Sequence, residues 1–321
     1  MEIKKVVVCG GGVLGAQIAL QAQYCGFDTT IWLRSEGSIG RTQPRLEKFT
    51  KDRLESLKLM KEKQSEDVFA PGLVDSYEDF DYEASVEKVK KAKEDLTLET
   101  DMEKAFEDSD LIIEAMSENI NDKKDFYHKI QDHLPEKTII CTNSSSLLPS
   151  SFMEDTGRPE KFLALHFANN IHVFNTAEVM RTSKTSDEAF ETVYKFANDI
   201  KMEAIRLNKE KAGYILNSLL IPFSIAALNL YAEGIASPED IDKVWKIAQG
   251  APLGPFDTFD MIGLKTPYEM GKALAESQDE NSPYDLKKIS EVVGKRVEEN
   301  KLGKETGEGF YKYDDDGKKI D

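Results

Sequence analysis

Apolar positions in the first two-thirds of the chain follow two periods in alternation. Short apolar runs bounded by polar residues predict strands at 6–9, 29–33, 96–98, 111–113, 138–141, 162–165, 176–180 and 204–206, the wholly apolar first run reading as a strand buried on both faces. Helical spacing predicts helices from Gly15 to about Gly26, then over 41–63, 86–93, 102–106, 123–134 and 188–198. Strands alternating with helices predict an α/β fold, a doubly wound and mostly parallel sheet covered on both faces. From Lys211 the strand signals stop. Ile215, Leu219, Leu220, Phe223, Ala226, Ala227 and Leu230 recur at helical spacing, and Ser237-Pro238-Glu239-Asp240 is a helix start. Two domains follow: 1–208, and a smaller all-α domain at 209–321 whose apolar faces suit a homodimer. A helical insertion at about 40–95 interrupts the first domain. Its first half is basic (Arg41, Arg45, Lys48, Lys51, Arg53, Lys58, Lys61, Lys63) and its second acidic. It reads as a surface hairpin, and the plain meaning of the basic run is a solvated helix face.

The first strand leads into Gly10, Gly12 and Gly15, a G-x-G-x-x-G spacing. The first glycine permits the turn, the second admits a pyrophosphate to the backbone, and the third lets helix and strand pack closely. Val13 and Leu14 stand in the first helical turn, where N–H groups attract phosphate. Directly after a strand and before a helix, this is a Rossmann-like dinucleotide fingerprint. An acid normally ends the second strand and accepts the adenosine ribose hydroxyls. Here that place holds Leu33, followed by Arg34 and Ser35. No carboxylate repels a 2′-phosphate, and Arg34 and Ser35 are phosphate donors. Between NAD and NADP the pattern favours NADP; the alternative leaves Arg34 in solvent, with Glu36 on the ribose.

Composition narrows the classes further. At 321 residues, with 40% hydrophobic and 31% charged residues, both domains have enough chain for a core. A net charge of −17 argues against general nucleic-acid or anionic-membrane binding but leaves room for a local basic pocket. The apolar run after Lys4-Lys5 is too short for a signal peptide, and no stretch is read as approaching the ~20 residues of a membrane span. A cytoplasmic protein is expected. Cys9, Cys25 and Cys141 read as small core residues. His128 and His133 are poorly spaced for a metal and look like surface residues, His172 is undecided, and no metal site is predicted.

Ligands of such sheets sit at the carboxyl ends of strands. That places Glu118, residues 143–146 and His166 on the ligand side. His166 stands twelve positions before Glu178, and a histidine with a carboxylate partner is a general base. Ser145 at a strand end offers a hydroxyl to a substrate oxygen, and Asn217 opens the second domain. Spacing alone does not bring the four together, and His166 reads equally well as a satisfied structural histidine.

Those residues, with Gly10-Gly11-Gly12-Val13-Leu14-Gly15-Ala16, Glu114-Ala115-Met116-Ser117-Glu118-Asn119, Thr142-Asn143-Ser144-Ser145-Ser146-Leu147, Gly213-Tyr214-Ile215-Leu216-Asn217 and Pro252-Leu253-Gly254-Pro255-Phe256, resemble a 3-hydroxyacyl-CoA dehydrogenase of the short, monofunctional type over nearly the whole length. The closing run from Lys304 to Tyr311 continues the match. The resemblance implies a His166–Glu178 dyad as general acid and base, with Ser145 and Asn217 on the reacting oxygen. It implies cofactor contacts at Glu118, Lys123, Ser145 and Asn169, and coenzyme A against the basic stretch, with Lys51, Arg53 and Lys58 as candidate phosphate contacts. The implied reaction moves a hydride between a 3-hydroxyacyl-CoA and a nicotinamide, as in fatty acid metabolism. This chain departs from the family at Leu33, at Ala168-Asn169-Asn170, at Ala212, at Ser218 and at Glu305. The alternatives are a dehydrogenase of a small free hydroxy acid, of sugar-acid or carnitine type, and a catalytically silent nucleotide-binding relative.

Overall fold

The computed structural model describes residues 1–265, 268, 271–272, 283–314 and 317–320. Eight strands form one sheet: β1 (Lys5–Cys9), β2 (Asp28–Trp32), β3 (Thr97–Glu99), β4 (Leu111–Glu114), β5 (Ile139–Thr142), β6 (Phe162–Phe167), β7 (Thr176–Arg181) and β8 (Glu203–Leu207). Their order is β3-β2-β1-β4-β5-β6-β7-β8. All pairs are parallel except β6 with β7. The order reverses between β1 and β4, which opens a crevice at their carboxyl ends.

Strand β1 shows why the sheet is covered on both faces. Val6 and Val8 join one apolar cluster, with Ala16, Ile18 and Ala19 of α1 (Val13–Tyr24). Val7 and Cys9 join the other, with Phe126, Tyr127 and Ile130 of α5 (Ile120–Ile130). Alternate side chains of a strand point to opposite faces, so a wholly apolar run needs a helix on each. The remaining helices of this part are α2 (Glu36–Lys63), α3 (Tyr82–Asp95), α4 (Met102–Phe106) and α6 (Asp187–Asp199). Burial pushes the Cys9 and Cys141 thiols well up and the half-buried Cys25 thiol up to about 11.

The insertion is not simply a solvated hairpin. Leu57 and Met60 of α2, Ala70, Leu73 and Val74 of the connecting loop, and Val89 and Ala92 of α3 bury an apolar cluster with Tyr24. One stripe of α2 therefore faces the domain, and only the opposite stripe carries solvated lysines.

The chain divides into two compact units, Met1–Ile215 and Leu216–Asp321. This division falls after the expected 208/209, because Tyr214 and Ile215 are tied to the first unit. Tyr214 packs with Ala164, Met180 and Leu207. Helices α7 (Tyr214–Ala232), α8 (Pro238–Gln249), α9 (Pro255–Ile262) and α10 (Leu286–Glu298) continue the chain. Ala227, Phe256, Phe259, Ile289, Val293 and Phe310 form a core of the second unit. Within it, buried Asp260 accepts the N–H groups of Phe310 and Tyr311 and the Tyr313 hydroxyl, all at 2.8–3.1 Å. A small antiparallel hairpin, β9 (Lys312–Tyr313) with β10 (Lys319–Ile320), adds to the helices. Helix α7 corrects one expectation. Its 19 residues, with a mean hydropathy of 1.6, are long and apolar enough to span a membrane by length and composition. Asn217, Pro222 and Asn229 divide its sequence into shorter apolar runs.

Candidate active site

The crevice at the β1–β4 switch is lined by backbone. Gly10 has φ +119, and a Cβ there would lie 2.6 Å from the Ala115 carbonyl oxygen. A Cβ at Gly15 would meet the Gly10 carbonyl at 2.0 Å, so turn and helix close only on glycine. Gly12 faces open space and is the N-cap of α1 with no capping side chain. Val13 is exposed beside it. A helix start with uncapped N–H groups and an open approach fits a dinucleotide pyrophosphate.

Beyond β2 lies a cavity of about 320 Å³ lined by Trp32, Arg34, Met102, Met116, Asp122, Asp125, Phe126 and Lys129. Trp32 stacks on Phe126 with centroids 5.4 Å apart. Leu33, expected at the cofactor's adenosine end, is buried, donates its N–H to the Glu99 carbonyl and is not among the residues that line this cavity. Arg34 and Ser35 are exposed. The Ser35 hydroxyl lies 3.2 Å from that of Ser38, which also accepts from Arg41 at 2.8 Å.

The one antiparallel pair of the sheet brings together the two residues expected to form a dyad. His166 on β6 and Glu178 on β7 are direct cross-strand partners. Both are buried. The imidazole Nδ1 lies 3.0 Å from Glu178 Oε2, and its Nε2 lies 3.2 Å from the Ser145 hydroxyl. A carboxylate only accepts, which assigns the Nδ1 proton to this bond and leaves the Nε2 lone pair toward Ser145. Glu178 Oε1 accepts the Ile215 N–H at 2.8 Å. Asn143 Oδ1 accepts the Phe167 N–H, which ties the β5 and β6 ends together.

Glu118 organises the loop that carries Ser145. Its Oε1 accepts from the Ser144 hydroxyl at 2.6 Å and from the Ser146 N–H and hydroxyl at 2.8 and 2.9 Å. Burial raises its carboxyl, but the Ser144 and Ser146 hydrogen bonds and the Lys123 charge win and hold it below the ordinary range. Lys123 itself is buried against Glu114, at 2.6 Å, and lies 3.6 Å from Glu118 Oε2. Its side chain is 1% exposed, so the cofactor contact expected of it has no open approach in this structure, and its charge lies against Glu118. Asn169 is exposed at the β6 end. Asn217 belongs to the second unit, in the first turn of α7.

The basic stretch separates into two kinds of residue. Lys51 and Lys58 are exposed and paired at i,i+4 with Glu55 and Glu62. Arg53 is only 2% exposed and donates to the Phe49 and Gln17 carbonyls, so it cannot meet a coenzyme A phosphate. His172 is buried with Nε2 3.2 Å from the Ser56 hydroxyl. Burial, then the Arg53 charge, pushes it down to about 3, so it stays neutral. His128 is solvent-exposed and lies 3.0 Å from Asp155. Among the described residues no group of three His, Cys, Asp or Glu converges to hold an ion. Sequence reasoning missed Tyr214, whose ring stacks on His166 with centroids 4.3 Å apart. Its place beside the matched glycine was the available signal.

A glycine-turned β–α–β crevice, with a buried His–Glu pair at neighbouring strand ends, defines an α/β protein of the dinucleotide-binding class. Two family models match: the 3-hydroxyacyl-CoA dehydrogenase NAD binding domain over residues 5–211, and the C-terminal domain of the same family over residues 213–313. The mitochondrial hydroxyacyl-coenzyme A dehydrogenase of Homo sapiens is 34% identical over 97% of this chain and 91% of its own. The 3-hydroxybutyryl-CoA dehydrogenase of Clostridioides difficile is 29% identical over 96% and 99%. A solved diketoreductase, described in terms of catalysis on dicarbonyl compounds, is 40% identical with a TM-score of 0.81, over 98% of this chain and all of its own. The chain belongs to the 3-hydroxyacyl-CoA dehydrogenase family, and is by that an oxidoreductase with a nicotinamide cofactor.

Proposed function

We propose that this protein interconverts a 3-hydroxyacyl and a 3-ketoacyl thioester of coenzyme A, with His166 as general base in oxidation and general acid in reduction. The observation that carries this reading is the line Glu178–His166–Ser145, at 3.0 and 3.2 Å, at the carboxyl end of β6. Glu178 holds the Nδ1 proton, so Nε2 is free to take the proton of the 3-hydroxyl and the imidazolium forms beside a carboxylate. The Ser145 hydroxyl holds the reacting oxygen as its charge changes. Asn217 is assigned to the same oxygen by the resemblance. The nicotinamide, when bound, takes or gives the hydride. Gly10, Gly12, Val13, Leu14 and Gly15 hold the pyrophosphate, Glu118 and Asn169 the nicotinamide end, and Arg34 with Ser35 the adenosine end, with NADP preferred. The exposed Leu219, Val244 and Ile247 of the second unit support a homodimer formed through that unit.

A second reading has a specific support. The greater identity to the diketoreductase, 40% against 34% for the Homo sapiens relative, favours a free dicarbonyl compound or hydroxy acid in place of the thioester. The burial of Arg53 points the same way, since it removes one phosphate contact from the coenzyme A reading. The deciding experiment follows nicotinamide absorbance with acetoacetyl-CoA, its pantetheine analogue and a free diketone ester, each with NADH and NADPH. The thioester reading expects the highest kcat/KM on the CoA substrate. A higher value on the diketone establishes the second reading.

A further inference from the structure

The Tyr214 ring lies flat on the His166 imidazole, with centroids 4.3 Å apart and planes at 11°. Tyr214 is 1% exposed, and its φ of +52 falls in the left-handed region that a bulky residue rarely enters. Such a conformation persists only where the surroundings over-determine it. Three bonds do so here. The Tyr214 N–H donates to the Lys211 carbonyl at 3.0 Å, its hydroxyl donates to the Ser144 carbonyl at 2.8 Å, and the following N–H, of Ile215, donates to Glu178 Oε1 at 2.8 Å. The phenol touches both arms of the site: the imidazole through its face, and the loop carrying Ser145 through its hydroxyl. Burial first, then the Glu118 and Glu178 charges, push the phenol well above its ordinary range, so the hydroxyl remains a donor.

We propose that Tyr214 is a positioning residue for the dyad, its ring face favouring the imidazolium of His166 and its hydroxyl setting the place of Ser145. The face of an aromatic ring carries the negative part of its quadrupole and attracts a cation held against it. Glu178 acts on the imidazole in the ring plane and Tyr214 acts across it. Rotating the imidazole about χ2 breaks the Nδ1 bond and the stack together. This rests on the reading of His166 as the acid–base group.

The test compares Tyr214→Phe, which keeps the face and loses the hydroxyl, with Tyr214→Leu, which loses both. A third variant carries pentafluorophenylalanine at 214, which keeps the shape of Phe and reverses the face. Rates are measured against pH, and the His166 ring is followed by side-chain ¹⁵N spectra. In Tyr214→Leu, kcat is expected to fall about tenfold or more with little change in cofactor KM. The acid–base limb of kcat/KM should move to lower pH by about one unit, the worth of an aromatic face on a desolvated cation. Tyr214→Phe should keep that limb in place and lose turnover only, and the fluorinated ring should move it as Leu does. If Tyr214→Leu does not fold, the Phe and pentafluorophenylalanine pair decides, since they differ in the face alone. Wild-type limbs and wild-type ring spectra in the Leu and fluorinated variants overturn the proposal. The ¹⁵N spectra report how the ring is held whether or not it is the base. A dyad that fails its own test on turnover is thereby distinguished from a Tyr214 that fails to hold it.

Discussion

The ammonium of Lys123 lies 2.6 Å from Glu114 Oε1, with both side chains shut away from solvent. Glu114 is fully used: it also accepts from the Met116 N–H, the Tyr127 hydroxyl and the Thr142 hydroxyl. Breaking a buried pair by removing one partner leaves an uncompensated charge and costs about 3–5 kcal/mol. Lys123→Met should therefore lower the melting temperature strongly. With the pair gone, Glu118 also loses its nearest cation, 3.6 Å away. Thermal melts beside cofactor titrations check this. Unchanged stability with weakened cofactor binding would return Lys123 to a direct cofactor contact.

The dyad has a sharper expectation. His166→Gln keeps a polar side chain of similar reach but removes the base. Turnover should fall roughly 10²–10⁴-fold, the usual worth of general acid–base catalysis. Cofactor affinity should hardly move, because the glycine turn is untouched. Near-normal turnover in a folded variant would falsify the catalytic role.

Asn217 separates a substrate contact from a packing residue. A contact that strengthens as charge develops shows up in kcat more than in KM. Asn217→Ala should lower kcat with KM nearly constant. A lower melting temperature with intact kinetics is the signature of helix packing instead.

The basic helix yields a prediction in two halves. If Lys51 and Lys58 meet the coenzyme A phosphates, activity on acyl-CoA weakens with salt while the pantetheine thioester is less affected. Exchanging both lysines for alanine should remove that difference. Arg53→Met should act elsewhere, on stability, because its guanidinium binds the Gln17 and Phe49 carbonyls inside the domain. Equal salt sensitivity for both substrates leaves the two lysines as solvated helix residues.

How far the sequence reached depends on which force placed each group. The central strands were legible because a run such as Val6-Val7-Val8 has no other way to bury both faces, whereas β3 and β8, only partly covered, showed through the strand–helix alternation around them. The partnership of His166 and Glu178 was legible only as a possibility. It comes from register, and register follows from β6 and β7 being antiparallel. The connection between them, 168–175, is too short for a parallel crossover, which needs about a dozen residues or more, so the signal was there in loop length. Arg53 was misplaced because a charge is read as solvated until a tertiary partner is known, and the cofactor contact expected of Lys123 came from the resemblance, which shows no partner. In Lys123 that partner is Glu114, nine residues earlier on another element. Tyr214 entered only as a member of the Gly213–Asn217 motif, with no role of its own. Its left-handed backbone and its place under an imidazole are visible only in three dimensions.

The choice of nicotinamide cofactor turns on the end of β2. The acid expected there is Leu33, which is buried and engaged through its backbone with Glu99. The alternative acid, Glu36, already accepts from the Thr100 hydroxyl at 3.1 Å, which weakens it as a ribose partner. Arg34 stands in the wall of the cavity beyond β2, with Lys129 and with the carboxylates of Asp122 and Asp125. Ser35, Ser38 and Arg41 follow within two turns of α2 as a hydroxyl and guanidinium group. A planar guanidinium can pair two phosphate oxygens and stack on adenine at once. A hydrogen bond to a charged group is worth about 1.5–3 kcal/mol, or roughly ten- to a hundredfold in binding. Wild type should accordingly show the higher kcat/KM with NADPH. Arg34→Ala should lose about ten- to a hundredfold of that value while the NADH figure stays nearly constant, since only the 2′-phosphate contact is removed. Measuring both cofactors on one substrate, in both proteins, is sufficient. Preference for NADH in wild type, or an unchanged ratio in Arg34→Ala, would leave the adenosine to be held by Trp32 and its neighbours without regard to the phosphate.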